Sequence, residues 1–141
     1  MRAPTAGMLI GMFLVQLLVS NHMIWAQTFP PLRRRIPKPN PKKYRSIQDA
    51  RDWHNPQLIV RPEGIEIIGI TPAGQAIPIE SVSDKLEQLP DSAWPYGLIV
   101  MVVDAGVLSS DRDVPNIQAN RSKLLKVLKE HGIAADLRPS A

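Results

Sequence analysis

Apolar and polar positions follow several different periods along the chain, and each period predicts a different element. Residues 8–19 are apolar except for Gln16, and residues 29–44 are punctuated by prolines. Two β-rich runs, 58–61 and 65–70, flank Pro62-Glu63-Gly64, where proline presets one turn angle and glycine accepts a positive one; this predicts a β-hairpin. A second turn, Thr71-Pro72-Ala73-Gly74-Gln75, precedes a short strand at 76–79. Val82, Leu86 and Leu89 then fall at helical spacing up to Pro90, behind a capping-box-like Ser81-x-x-Asp84. The six apolar residues at 98–103 predict a central strand buried on both faces. Ile117, Leu124, Leu125 and Leu128 form the apolar stripe of a longer helix, which Asp113 caps, Pro115 enters and Gly132 stops. Residues 133–141 supply the last strand.

This order predicts an α+β fold: a small mixed β-sheet with two helices packed on one face, and right-handed crossovers where strands run parallel. The folded domain is expected over residues 46–141, opening with a short helix capped by Ser46 with Asp49 at N3 that stops before Asn55-Pro56. Residues 27–45 read as a basic, proline-rich, disordered linker, and residues 1–26 as a signal peptide or membrane anchor. No internal repeat is visible.

Charge sharpens that division. Residues 1–45 carry net +8 with no acid, whereas residues 46–141 carry −4, so the basic character belongs to the arm. The chain has no cysteine, which excludes disulfides, thiol nucleophiles, thiolate zinc sites and a bacterial lipoprotein anchor.

At the amino terminus, the apolar core and Ala26 with Ile24 suit a secretory signal cleaved before Gln27. Counting through Ser20, Asn21 and His22, residues 7–25 are also long enough to span a bilayer as a poor helix. The basic cluster after the apolar segment opposes export by positive-inside logic. The cleaved signal, and hence a periplasmic or secreted protein, is the preferred expectation; a membrane-anchored protein is the alternative.

Arg33, Arg34, Arg35, Lys38, Lys42 and Lys43 are the candidate contacts to an anionic surface such as lipid head groups or envelope polysaccharide. Nucleic acid is disfavoured, because no aromatics for base stacking interleave with these cations. Trp94 and Tyr96, in the loop Trp94-Pro95-Tyr96-Gly97, are candidates for binding a partner protein, or else for capping the open end of the core.

Catalytic chemistry finds little support. His22, His54 and His131 show no metal-ligand spacing, no G-x-S-x-G occurs, and the glycines are scattered without a phosphate loop. Asp104, Asp111 and Asp113 with Ser109 and Ser110 offer calcium-type oxygens, but Arg112 lies among them and no EF-hand spacing is present. No catalytic residue, metal or cofactor is assigned. A non-enzymatic envelope protein leads, and a small exported hydrolase or other enzyme with a site around His54 and Asp104 is the alternative.

The succession "IVRPEGIEIIG…AIPIESVSDKLEQL…YGLIVMVVD…DVPNIQANRSKLLKVLKEHGI", about residues 58–138, resembles the periplasmic domain of the ExbD/TolR family. That resemblance implies a domain outside the inner membrane that dimerises and works with ExbB- or TolQ-like partners in a complex driven by proton-motive force; a sheet edge is a possible dimer contact. The family's transmembrane aspartate has no counterpart in residues 1–45, and the loop between Asp104 and Val114 is longer than the family's turn. The resemblance therefore implies the domain without the motor function.

Overall fold

The two β-rich runs fold back on each other about Pro62 and Glu63, as β1 (Gln57–Arg61) and β2 (Gly64–Ile67), antiparallel with Leu58 opposite Ile67 and Arg61 opposite Gly64. The computed structural model describes residues 30–106 and 111–139. The signal or anchor segment expected at 1–26 and the cleavage point after Ala26 lie outside them. β3 (Ile99–Asp104) runs parallel to β1, and β4 (Ala134–Arg138) runs parallel to β3. The result is a mixed four-stranded sheet in the order β2-β1-β3-β4, with the apolar run at an inner position as expected.

One-turn helices α1 (Leu32–Arg35) and α2 (Pro41–Tyr44) precede the sheet. α3 (Val82–Glu87) joins the hairpin to β3, and α4 (Val114–Glu130) joins β3 to β4. Val82 and Leu86 of α3 and Ile117, Leu124 and Leu128 of α4 share one buried cluster with Leu58, Val60, Ile65, Ile67, Val100 and Val102 of the sheet. Each such side chain removed from water contributes about 1.5–3 kcal/mol before entropy is counted. The other sheet face carries a smaller cluster, Trp53, Tyr96, Ile99 and Met101, edged by Tyr44 and Ile47.

Several expectations need correction. The domain does not begin at Ser46: the compact unit starts at Pro31, and Leu32 and Ile36 of the supposed linker are 2% and 5% exposed inside the main core. Prolines at 31, 37, 39 and 41 stiffen this segment and lower the entropy of holding it, so two apolar anchors are enough to seat it. Ser46 starts no helix; Asp49 caps a 3-10 turn at Ala50–Asp52 by accepting from the Arg51 N–H at 2.9 Å.

β2 ends at Ile67, not at 70, because Thr71 accepts from the Ile67 N–H (3.0 Å) and donates to its carbonyl (3.1 Å), while Gly69 turns the chain at φ +80. Ile68 and Ile70 are accordingly exposed. The strand expected at 76–79 shrinks to a single antiparallel bridge, Ile65 to Ile77. Ser81 caps nothing, since a 3-10 turn at Ile79–Ser81 leads into α3 and leaves Ser81 itself in a helical conformation.

Candidate functional site

The segment 31–40 is the part of the molecule where charge and shape combine. α1 points Leu32 into the core and leaves Arg33 and Arg34 exposed. Arg35 turns back: it donates to Asp91 Oδ1 at 2.6 Å and to the Glu87 carbonyl at 3.0 Å, at the end of α3 where unpaired carbonyls favour a cation. Beyond Ile36 the chain runs as a strap beside the start of β3. The Leu98 N–H donates to the Pro37 carbonyl at 2.9 Å, and the Asn40 N–H donates to the Tyr96 carbonyl at 2.9 Å. Gly97 lies directly under the strap at φ +90, where a Cβ would stand 2.8 Å from Pro39 Cα, so only glycine fits that crossing.

Between α1, the strap and the end of α4 lies a groove of about 640 Å³. Ile36 and Leu98 line its apolar part, Arg33, Arg34 and Lys38 supply the charge, and Gly132 also lines it. Arg33, Arg34 and Lys38 have no ion-pair partner among the described residues. Two cations on α1 and one on the strap, beside apolar atoms and without ion-pair partners among the described residues, leave a local excess of positive charge at this groove.

The six cations singled out from sequence thus separate. Arg33, Arg34 and Lys38 share the groove. Arg35 belongs to the fold. Lys42 is exposed on α2, and Lys43 Nζ donates to the Pro95 carbonyl at 3.3 Å.

Trp94 and Tyr96 do not form an adhesive loop; they are 4% and 7% exposed. Trp94 belongs to the main core, and Tyr96 packs edge-on against Trp53 at 5.0 Å between ring centroids, with Tyr44 at 6.3 Å. The Tyr96 hydroxyl accepts from the His54 N–H (3.0 Å) and donates to the Asp52 carbonyl (3.2 Å). Capping the core, the other expectation for this loop, is what these contacts do.

Asn55, which sequence reading used only as a helix stop, is a buried node. Its amide donates to the Gly97 and Ile99 carbonyls at 2.8 Å each and accepts from the Tyr96 N–H at 2.9 Å. Glu66 is buried on β2 and accepts from Arg61 at 2.6 Å and from the Gly74 N–H at 2.8 Å. Burial pushes its carboxyl up, but the Gly74 and Arg61 hydrogen bonds and the Arg61 charge outweigh this and hold it below its ordinary range.

Asp104 is tied to Arg121 of α4, and no described carboxylate lies within salt-bridge distance of the exposed His54 ring, so these two are not brought together as a pair. Among the described residues no group of three or more His, Asp or Glu side chains could hold a metal. None of their helices is long and apolar enough to cross a membrane. No protein-family model, curated protein or solved structure matches the chain.

Proposed function

We propose that this chain is a non-enzymatic, exported cell-envelope protein that attaches to an anionic lipid or polysaccharide surface through Arg33, Arg34 and Lys38. The observation that carries this reading is the groove itself, three cations without described counter-ions beside the apolar Ile36 and Leu98, while the neighbouring Arg35 is consumed by Asp91 and Glu87. Each basic residue near a charged membrane contributes about 1 kcal/mol. The attraction weakens as the Debye length falls from about 10 Å at 0.1 M salt to about 3 Å at 1 M.

The test is sedimentation of the full chain with phosphatidylglycerol or phosphatidylcholine vesicles. The apolar run at 8–19 is present in every variant, so the readout is the excess binding to anionic over neutral vesicles. That excess should vanish at 1 M salt and fall about a hundredfold in Arg33→Gln/Arg34→Gln/Lys38→Gln, as expected for about 3 kcal/mol removed. Binding that ignores salt and the triple substitution refutes the proposal.

Kinship with the ExbD/TolR family is a second reading, at the level of fold. The succession β1-β2-α3-β3-α4-β4 supports it, with Asp113-Val114-Pro115 at the entry to α4. Amino-terminal sequencing of the protein from fractionated cells tests export and processing together. The enzyme alternative is weaker, since Asp104 pairs with Arg121 rather than with a histidine.

A further inference from the structure

We infer that the anionic surface is a lipid bilayer, which the turn after β2 enters with Ile68 and Ile70 while Arg33, Arg34 and Lys38 lie against the head groups, an inference that rests on the cationic contact proposed above. Charge alone does not choose between lipid and polysaccharide. The apolar residues at the same end of the molecule do.

Topology brings the two sets of residues together. β2 runs antiparallel to β1 and stops beside its start, where Ile67 stands opposite Leu58 and the Ile68 N–H donates to the Gln57 carbonyl at 3.0 Å. β3 is parallel to β1 and so begins at this end too, where the Leu98 N–H meets the Pro37 carbonyl of the strap at 2.9 Å. α4 also finishes here, since a Cβ on Gly132 would stand 3.5 Å from the Arg33 Cβ. β2 and β3 flank β1, so the end of β2 and the start of β3 are two strand spacings apart, about 10 Å.

The turn displays its isoleucines by construction. Ile68 and Ile70 are 46% and 37% exposed. The Thr71 hydroxyl holds both backbone groups of Ile67, and the Ile70 and Thr71 N–H groups donate to the Ile67 carbonyl at 3.1 and 3.0 Å. The backbone is thus closed by its own bonds and does not depend on burying either side chain. Residues 67–79 carry no charge, and a Cβ at Gly69 or Gly74 would meet no described atom within 4 Å. Two apolar side chains on such a turn gain by entering the acyl boundary of a bilayer, whereas a hydrated polysaccharide gives them nothing to be buried in.

Charge favours the same orientation. The acids that α3 brings to this end already face cations: Glu87 Oε1 lies 3.8 Å from His131 Nδ1, and Asp91 Oδ1 lies 2.6 Å from Arg35. Arg33, Arg34 and Lys38 have no such partner among the described residues and are left for anionic head groups. Glu130, exposed at the end of α4, opposes them with one charge.

Because the chain has no cysteine, a thiol at residue 70 carries a single environment-sensitive fluorophore in the full-length protein. The probe is a phosphatidylglycerol vesicle with nitroxide-labelled acyl chains. Quenching at Ile70→Cys should exceed that at Glu63→Cys, an exposed position in the β1-β2 turn at the opposite end of the sheet, by about tenfold. Adding Arg33→Gln/Arg34→Gln/Lys38→Gln to the Ile70→Cys protein should remove most of that difference, and thermal melts of the labelled proteins check that each is folded.

Equal quenching at the two positions, with an anionic excess that still depends on salt and on the three cations, overturns the inference and leaves the groove as a contact to charge alone. Equal quenching with an excess that ignores both overturns the cationic reading as well. Strong quenching at Ile70→Cys that survives the triple substitution overturns the joint contact of turn and groove.

Discussion

Single residues hold the strap, the aromatic cap and the sheet in register. Asn55 donates twice and accepts once within a buried site, so the polarity of its amide is matched atom by atom to Gly97, Ile99 and Tyr96. Asn55→Asp replaces a donor by a second acceptor facing two carbonyls, and should cost about 3 kcal/mol or more in a urea melt. Trp94 makes the opposite case. Its indole N–H is buried with no acceptor among the described residues, so Trp94→Phe trades lost volume against relief of an unsatisfied donor. The expected change is within about 1 kcal/mol, while Trp94→Ala should cost about 3–5 kcal/mol through the cavity it leaves. A Trp94→Phe variant as damaged as Trp94→Ala would mean that the indole nitrogen has a partner. Neither role is legible locally: Trp94-Pro95-Tyr96-Gly97 suits an adhesive loop as well as a cap, and the strap that covers Gly97 comes from residues far away in sequence.

The elements that were legible are those whose signal is periodic and local. The hairpin, the apolar β3 and the stripe of α4 follow from their own residues, and Gly132 ends α4 at φ +72 as a C-terminal glycine should. The misread linker depends on distant partners, whereas the early end of β2 has a local cause in Gly69 and the Thr71 hydroxyl. α1 is one turn of leucine and arginines between prolines, with no pattern that reports Leu32 and Ile36 meeting the core. The groove was legible as charge and illegible as geometry, for the same reason: its cations were visible in sequence, but the apolar residues that seat them look like linker. Leu32 is 2% exposed, so Leu32→Ala should destabilise the whole fold by about 2–4 kcal/mol, and Ile36→Ala by a similar amount. A disordered linker would register no change in the same melt. Lys38→Ala, whose side chain is exposed, is the matched control and should leave stability within about 0.5 kcal/mol.

Across the whole molecule, strap, sheet and helices share one main core, so unfolding should be a single cooperative transition whose acid limb reports on Glu66. The folded carboxyl of Glu66 titrates below its ordinary value of 4.5, because Arg61 and the Gly74 N–H stabilise its charge against the burial that opposes it. The unfolded chain therefore binds the proton first as pH falls. The stabilisation is fully present above the unfolded value and is lost as pH drops through the folded one. One proton taken up on unfolding corresponds to at most about 1.4 kcal/mol per pH unit within that window. Asp49, held low by Arg51, contributes with the same sign from an exposed site. Glu66→Gln keeps the shape of the side chain and cannot titrate, so it should be less stable than the parent at neutral pH and should show a shallower loss of stability below about pH 4.5, its remaining slope coming from groups such as Asp49. Thermal melts of both proteins between pH 3 and pH 7 decide it: parallel curves would mean that the Arg61–Glu66 pair leaves the carboxyl unshifted, and that this edge of the sheet is held by the Ile65–Ile77 bridge instead.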